Sequence, residues 1–381
     1  MVSTTASVNR YLLCCGDATD LQTWSNTPYF LLQAGQAKGF LQGGLALQPQ
    51  QLRRERWLWN LGQWLRTGNA GGFQYSQAFG LRLLQQAHLP TDQPLRLLSH
   101  FPLLPSQPWS SLWKVSFYID ATTRQVFEDY GVGDRLAPAY RQQILAREQQ
   151  AYQQAEQIVC MADWAAQSVI ADYGINPAKV HVVPGGANLD EAQLVQLPSS
   201  PNPPAPTQNQ PLRLGFLGKE WQRKGGPFLL SVADQLIDLG IPSVIRAIGP
   251  DPKTLPAHPA LQPLGFINKQ TETARFVAEL QSWHFGTLFS SAEASPRSNL
   301  ECLRLGVPVL THAIGGIAST LPDAGCGQLF SPYPSPQTVA NWIRDRLTPY
   351  DAYLSWRSAL ATRWAEFTWA TAVEQLSRIL D

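Results

Sequence analysis

Apolar and polar positions follow one another in short runs punctuated by glycine, proline and capping residues, and the runs come in a strand, loop, helix order. The apolar stretch from Arg10 to Cys15 ends at Gly16, and Thr27-Pro28 then supplies an N-cap and an N1 proline for a helix closed by Gly39. Val115 to Ile119 reads as a strand, a helical segment follows around Leu145 to Ile158, and Val180 to Val183 reads as a further strand. Downstream the pattern repeats. LRLGFLG is a strand, Gly226-Pro227 opens a helix that Gly240 closes, and SVIRAIG is the next strand. His284 to Phe289 reads as a strand, Ser295-Pro296 as N-cap and N1, Gly306 as the glycine past the helix end and VPVL as the following strand. Ser335-Pro336 starts another helix, and residues 367–381 read as a terminal amphipathic helix. Such alternation predicts an α/β protein with parallel, doubly wound sheets.

The run LPSSPNPPAPTQNQP carries six prolines in fifteen residues and no apolar period, so it predicts a linker over 197–211. That divides the chain into an N-terminal Rossmann-like domain, 1–196, and a C-terminal one, 212–366, with 367–381 crossing back to complete the first. A chain of 381 residues with 44% hydrophobic content is large enough for two cores. In such folds the functional loops sit at the carboxyl ends of the strands, which places the expected ligand site in a cleft between the halves.

Charge and cysteine usage narrow the partners. With 29 basic against 28 acidic residues the chain has no global field for nucleic acid, so any anionic partner is held by local groups. Five cysteines without a CxxC pair predict reduced thiols and a cytoplasmic setting. Residues 1–9 are polar and the LLCC run is too short for a signal or a membrane span, so a soluble protein is expected.

Two constellations carry chemistry. The loop Lys219, Glu220, Trp221, Gln222, Arg223, Lys224, Gly225, Gly226 brings three cations and two glycines to a helix N-terminus. A diphosphate asks for that combination of close backbone N–H groups, a positive helix end and charged side-chain donors. The order is not that of a Walker loop. The second is SSAEASPRSNLECLRLGVPVL, where Glu293 lies just past a strand and Glu301 inside the helix that follows. A carboxylate there can accept from both hydroxyls of a sugar diol. No DxD triplet occurs and the six histidines show no ligand spacing, which predicts a site without metal. No GxGxxG follows a strand, which argues against a nicotinamide oxidoreductase.

In this order and spacing the segments resemble the retaining GT-B glycosyltransferases of family 4. FLGKEWQRKGG resembles that family's phosphate segment, Glu293-x7-Glu301 its E-x7-E signature, and PVLTHAIGGIAS its PVV…GG element. ADWAAQSVIADYGINPAKVHVVPGGAN resembles the run that ends the family's first domain. The resemblance implies a GT-B fold and transfer from a nucleoside diphosphate sugar, UDP or GDP, with retention and without a permanent cofactor, in polysaccharide or cell-envelope biosynthesis. It implies that Lys219, Arg223, Lys224 and Gly225 hold the diphosphate, that Glu301 binds the ribose with Ser298, Asn299 and Leu300 beside it, and that Glu293 lies against the sugar. Phe266 and Ile267 fall where the family packs the nucleobase. The chain also departs from the pattern. The first strand-to-helix loop reads Trp24, Ser25, Asn26, Thr27, Pro28 in place of a Gly-Gly pair, so its candidate contacts are Ser25, Asn26 and Thr27. Asp120 stands where the family places a histidine, as a sugar contact or as a cap on the next segment. These departures keep a catalytically silent GT-B module, binding a nucleotide sugar or a protein partner, as the alternative.

The acceptor belongs to the N-terminal half, where one segment stands out. In QLRRERWLWNLGQWLR, residues 51–66, Arg53, Arg54, Arg56 and Arg66 interleave with Trp57, Trp59 and Trp64. The helix fits either of two arrangements: its tryptophans pack on the sheet while the arginines face water, or it lies on an anionic membrane surface at the cytoplasmic face.

Overall fold

The computed structural model describes residues 9–89, 92–104, 111–197 and 202–381, so positions 198–201 of the expected linker lie outside the described residues. Among the described residues the strands form two six-stranded, all-parallel sheets. The first contains β1 (Arg10–Cys15), β2 (Gly43–Leu47), β3 (Leu95–Ser99), β4 (Trp113–Ile119), β5 (Ile158–Cys160) and β6 (Val180–Val182), in the order β2-β1-β3-β4-β5-β6. The second contains β7 (Leu212–Leu217), β8 (Ser243–Ile248), β9 (Leu261–Gly265), β10 (Phe285–Leu288), β11 (Val309–His312) and β12 (Gly327–Phe330), in the order β12-β11-β10-β7-β8-β9. Both are doubly wound, and in each the direction of winding reverses beside the first strand. That reversal falls between β1 and β3 in one sheet and between β7 and β10 in the other, and it is where such sheets open a crevice at their carboxyl ends.

Met1–Pro184 and Ala372–Asp381 form one compact unit, and Gly185–Thr371 the other. Within the first, the guanidinium of the buried Arg10 donates to the Leu380 carbonyl at 2.9 Å and to Asp381 at 2.8 Å, and Arg96 donates to the same carbonyl at 2.8 Å. Val373 and Leu376 are buried, so the terminal segment is held to the first unit by apolar packing as well as by the bonds to Arg10 in β1 and Arg96 in β3. Within the second, Glu191 pairs with Arg304 at 2.9 Å and Asn188 accepts from the Trp369 indole at 2.9 Å. Residues 185–194 are thereby fastened to helix Arg297–Arg304 and to the segment around 367.

Three boundaries differ from the pattern expected along the chain. Helix Pro138–Gln154 stops at an extended Ala155, and Ile158 begins β5 instead of ending that helix. The three residues of β5 are buried on both faces, so so short a strand shows no period of its own. Helix Thr27–Ala37 takes Asn26 as its N-cap, because the chain arrives through left-handed residues, and Thr27 is already helical. Helix Arg297–Arg304 likewise begins one residue later than Ser295-Pro296 predicts, with Pro296 still extended at the N-cap.

In the second unit Trp283 is fully buried against β7. A Cβ built on Gly215 would stand 1.8 Å from its ring, so this strand position admits only a hydrogen. Gly215→Ala must push the indole or the strand aside, an overpacking expected to cost about 2 kcal/mol. Circular dichroism during guanidinium unfolding checks this, and an unchanged midpoint would contradict it.

Candidate functional site

The carboxyl ends of β7 and β10 lie side by side and carry the two constellations read from the sequence. After β7 the chain turns through Gly218 and runs to Gly225, which has φ of 81° and caps helix Gly226–Asp238. Two contacts explain the glycines. A Cβ on Gly225 would sit 2.3 Å from the Phe289 carbonyl oxygen, and one on Gly226 would sit 2.2 Å from the ring of the buried Trp221. The loop can close on the end of β10 only with hydrogen at both positions. Gly218 serves a different purpose: a Cβ there would meet the Lys224 side chain at 2.3 Å, so its absence lets that lysine run over the strand end. The Ser291 amide then donates to the Arg223 carbonyl at 2.9 Å, joining the two loops.

Their meeting point is Glu293. One of its oxygens, Oε1, accepts from Lys224 Nζ at 2.6 Å, Arg223 Nη1 at 3.1 Å and Ser290 Oγ at 3.1 Å. Arg223 also reaches the Ala292 carbonyl at 2.5 Å and pairs with Glu220. Glu293 is 9% exposed. Two cations thus share the shielded carboxylate of Glu293 and the exposed one of Glu220 at the strand ends. Gly315 and Gly316 support the same residue from behind: the Gly316 amide donates to the Glu293 carbonyl at 2.9 Å, and a Cβ on Gly315, which has φ of 54°, would lie 2.2 Å from that oxygen.

Glu301 occupies a second, drier position in helix Arg297–Arg304. It is 1% exposed and its carboxylate pairs with Lys269, a residue no sequence motif singled out. Burial pushes the Glu301 carboxyl above its ordinary range, and Lys269, then Arg297 and Lys224, pull it back. Asn299 is buried and donates to Thr320 Oγ1 at 3.0 Å, Leu300 is core, and the Ser298 hydroxyl is buried with no hydrogen-bond partner among the described residues. The first amides of this helix lack intrahelical partners, and Pro296 supplies no side-chain cap.

The other expected residues lie apart from this cluster. Lys219 is exposed, and its Nζ stands 5.7 Å from the ring centroid of Phe266 instead of joining Glu293. Phe266 is 66% exposed whereas Ile267 is buried in the core, so the pair divides between surface and interior. Asp120, at the end of β4, is half-buried, and helix Thr123–Asp129 is capped by Thr122 in a capping box with Gln125, so Asp120 is not the cap. In the first unit Trp24, Ser25 and Asn26 have φ of 45°, 55° and 70°. Side chains there hold a left-handed path that glycine would take without steric cost. His100, also missed in the sequence, follows β3 and is buried. Its Nδ1 lies 2.6 Å from the Tyr118 carbonyl and its ring meets Trp24 edge-on at 4.9 Å, joining the loops on either side of the β1/β3 reversal. A histidine without a neighbouring motif partner leaves no pattern to read.

No protein-family model matches the chain, and no curated protein matches it. Its fold is similar to that of sucrose-phosphate synthase from Thermosynechococcus elongatus, at 12% identity and a TM-score of 0.65 over 97% of this chain and 98% of that one. It is similar to WaaG, a glycosyltransferase involved in lipopolysaccharide biosynthesis, at 15% identity and 0.62 over 97% and 99%. It is also similar to HepE of Anabaena in complex with UDP and glucose, at 13% identity and 0.57 over 97% and 99%. At these identities the likeness is one of fold, a GT-B α/β architecture with two Rossmann-like domains.

The Glu301 pair generates a pH prediction. The folded state keeps the Glu301 proton to higher pH than the unfolded chain does. Its contribution to stability is therefore full below the unfolded value of about 4.3 and is lost as pH rises through the raised folded value. Lys269→Met removes the nearest cation and should cost about 3 kcal/mol near neutral pH, with a steeper fall in stability on raising pH. Adding Glu301→Gln should flatten that slope. Denaturant midpoints across pH 4 to 8 check both, and an unaltered profile in Lys269→Met would remove Lys269 from the site.

Proposed function

We propose that this chain is a retaining, metal-independent glycosyltransferase that takes its sugar from a nucleoside diphosphate sugar. The observation that carries this reading is the Glu293 carboxylate held by Lys224 and Arg223 where β7 and β10 diverge, beside the uncapped start of helix Arg297–Arg304. A diphosphate bound there would draw Lys224 and Arg223 from Glu293 to its own oxygens. The helix amides would face the same charge. Glu293, relieved of part of its pairing, would then accept hydroxyl hydrogens of the sugar, and Glu301 would accept from the ribose with Ser298 and Asn299 beside it. Phe266 offers an exposed ring for the base, with Lys219 above it as a further phosphate cation. Similarity in fold to HepE, which was crystallised with UDP and glucose, supports UDP as the first base to test, with GDP second.

The chemistry asks the protein to stabilise charge on the departing diphosphate, which Lys224, Arg223 and Lys219 would do without a metal ion. Retention comes from the resemblance to family 4, in which the leaving phosphate itself takes the acceptor proton, and Asp120 would then position the sugar. The first unit would bind the acceptor and the second the donor; the expected linker, 197–211, falls inside the second unit, and the chain passes between the units at Pro184–Gly185 and again at Thr371–Ala372. The left-handed loop at Trp24 to Asn26 and the carboxylate at Asp120 are the features that favour a silent module instead.

Calorimetry with UDP-, GDP-, ADP- and TDP-sugars should find at least one ligand, and slow donor hydrolysis should release the sugar in its original anomeric form by NMR. Lys224→Ala is expected to lower turnover by roughly 10² to 10³, the cost of removing one oxyanion donor. Glu301→Ala should abolish tight donor binding. Full activity in both variants would overturn the site, and binding without turnover would identify the silent module.

A further inference from the structure

Helix Arg53–Thr67 turns its apolar side outward. Trp57, Leu58, Leu61, Trp64 and Leu65 are 64%, 62%, 42%, 56% and 70% exposed, and no residue of the helix is buried. At 100° per residue these five fall within an arc of roughly 120°. A surface helix ordinarily directs such a stripe at the core. Here the inward contact is made from another side by Trp59, whose ring lies 6.0 Å from Phe73 and 5.9 Å from Tyr140 and whose indole donates to the Gly71 carbonyl at 3.3 Å. The three tryptophans therefore divide, one inward and two outward, so the arrangement in which all of them pack on the sheet does not hold.

Charge chooses the occupant of the outward side. The helix carries Arg53, Arg54, Arg56 and Arg66, all exposed, against Glu55 alone. The whole chain has a net charge of only +1, so this is a local concentration. Arg54 falls inside the apolar arc and Arg53 at its rim. A second copy packed on this side would set arginine against arginine, and an apolar protein surface would strand Arg54 without a partner. An anionic lipid surface meets both requirements. Indole rings and leucines enter the acyl boundary, while long guanidinium side chains reach back to phosphates. Among the described residues no helix is long and apolar enough to cross a membrane, so contact through this element would lie in the plane.

We propose that helix Arg53–Thr67 docks the protein on anionic membrane surfaces, with Trp57, Leu61, Trp64 and Leu65 inserted and the arginines on the headgroups. The proposal is independent of the donor site, because vesicle binding is read without nucleotide. The intact chain should float with vesicles containing one-third phosphatidylglycerol and not with pure phosphatidylcholine, and tryptophan fluorescence should shift to the blue and be quenched by shallowly brominated lipid. Trp64→Ser with Leu65→Ser, and separately Arg53→Ala with Arg54→Ala, should each weaken partitioning at least tenfold with unchanged circular dichroism, since all four side chains are exposed. Absence of flotation, equal binding to neutral vesicles, or full binding by both variants would overturn the proposal. So would a dimer in light scattering that Leu61→Asp disperses, which would give the surface to a second copy.

Discussion

The second unit depends on one carboxylate oxygen. Lys224 and Arg223 repel each other, and bringing them together at the mouth of a sheet is unfavourable unless a counter-charge lies between them. Glu293 supplies it, and with Ser290 it ties the loop after β7 to the loop after β10. The surrounding glycines follow from that arrangement. Gly218 clears the path of the lysine, Gly225 lets the first loop close on Phe289, and Gly315 allows a third loop to reach the Glu293 backbone. Replacing Gly225 or Gly315 would act on the charge cluster through the backbone, and replacing Gly218 through the lysine side chain itself.

The first unit marks its own reversal of winding with contacts of another kind. An edge-on contact between Trp24 and His100 joins the loops, and the backbone at Trp24 to Asn26 takes the left-handed path that the family resemblance assigns to glycine. One unit thus presents a shielded charge cluster and the other an aromatic contact on a strained turn, although both sheets are built from the same alternation of strand and helix.

What could be read in the sequence follows from how local each signal is. Proline, glycine and serine at helix ends placed β7, β8, β10, β11 and the helices Gly226–Asp238 and Arg297–Arg304 to within a residue or two, because capping involves neighbours in sequence. Glu293, Arg223 and Lys224 were legible through spacing. Lys269 was not, since its pairing with Glu301 spans 32 residues and rests on tertiary packing alone. β5 reads as the end of a helix because three doubly buried residues have no period, and β2 and β3, at five residues each, leave too little pattern for a similar reason. The division of the chain is also a matter of long-range contacts. Residues 185–194 carry no mark of belonging to the second unit until Glu191 meets Arg304.

The place of Ala372–Asp381 has a consequence for how the chain is made. The carbonyl that both Arg10 and Arg96 require belongs to Leu380, and every residue of Gly185–Thr371 is translated before it. During synthesis the first unit emerges early but lacks the segment that satisfies the buried Arg10, whereas the second unit is continuous and has all its residues once Thr371 has left the ribosome. Domains generally fold as units in the order they appear. Here the order of appearance and the order of completion are opposite, so the unit whose strands come first in sequence is the later of the two to be finished.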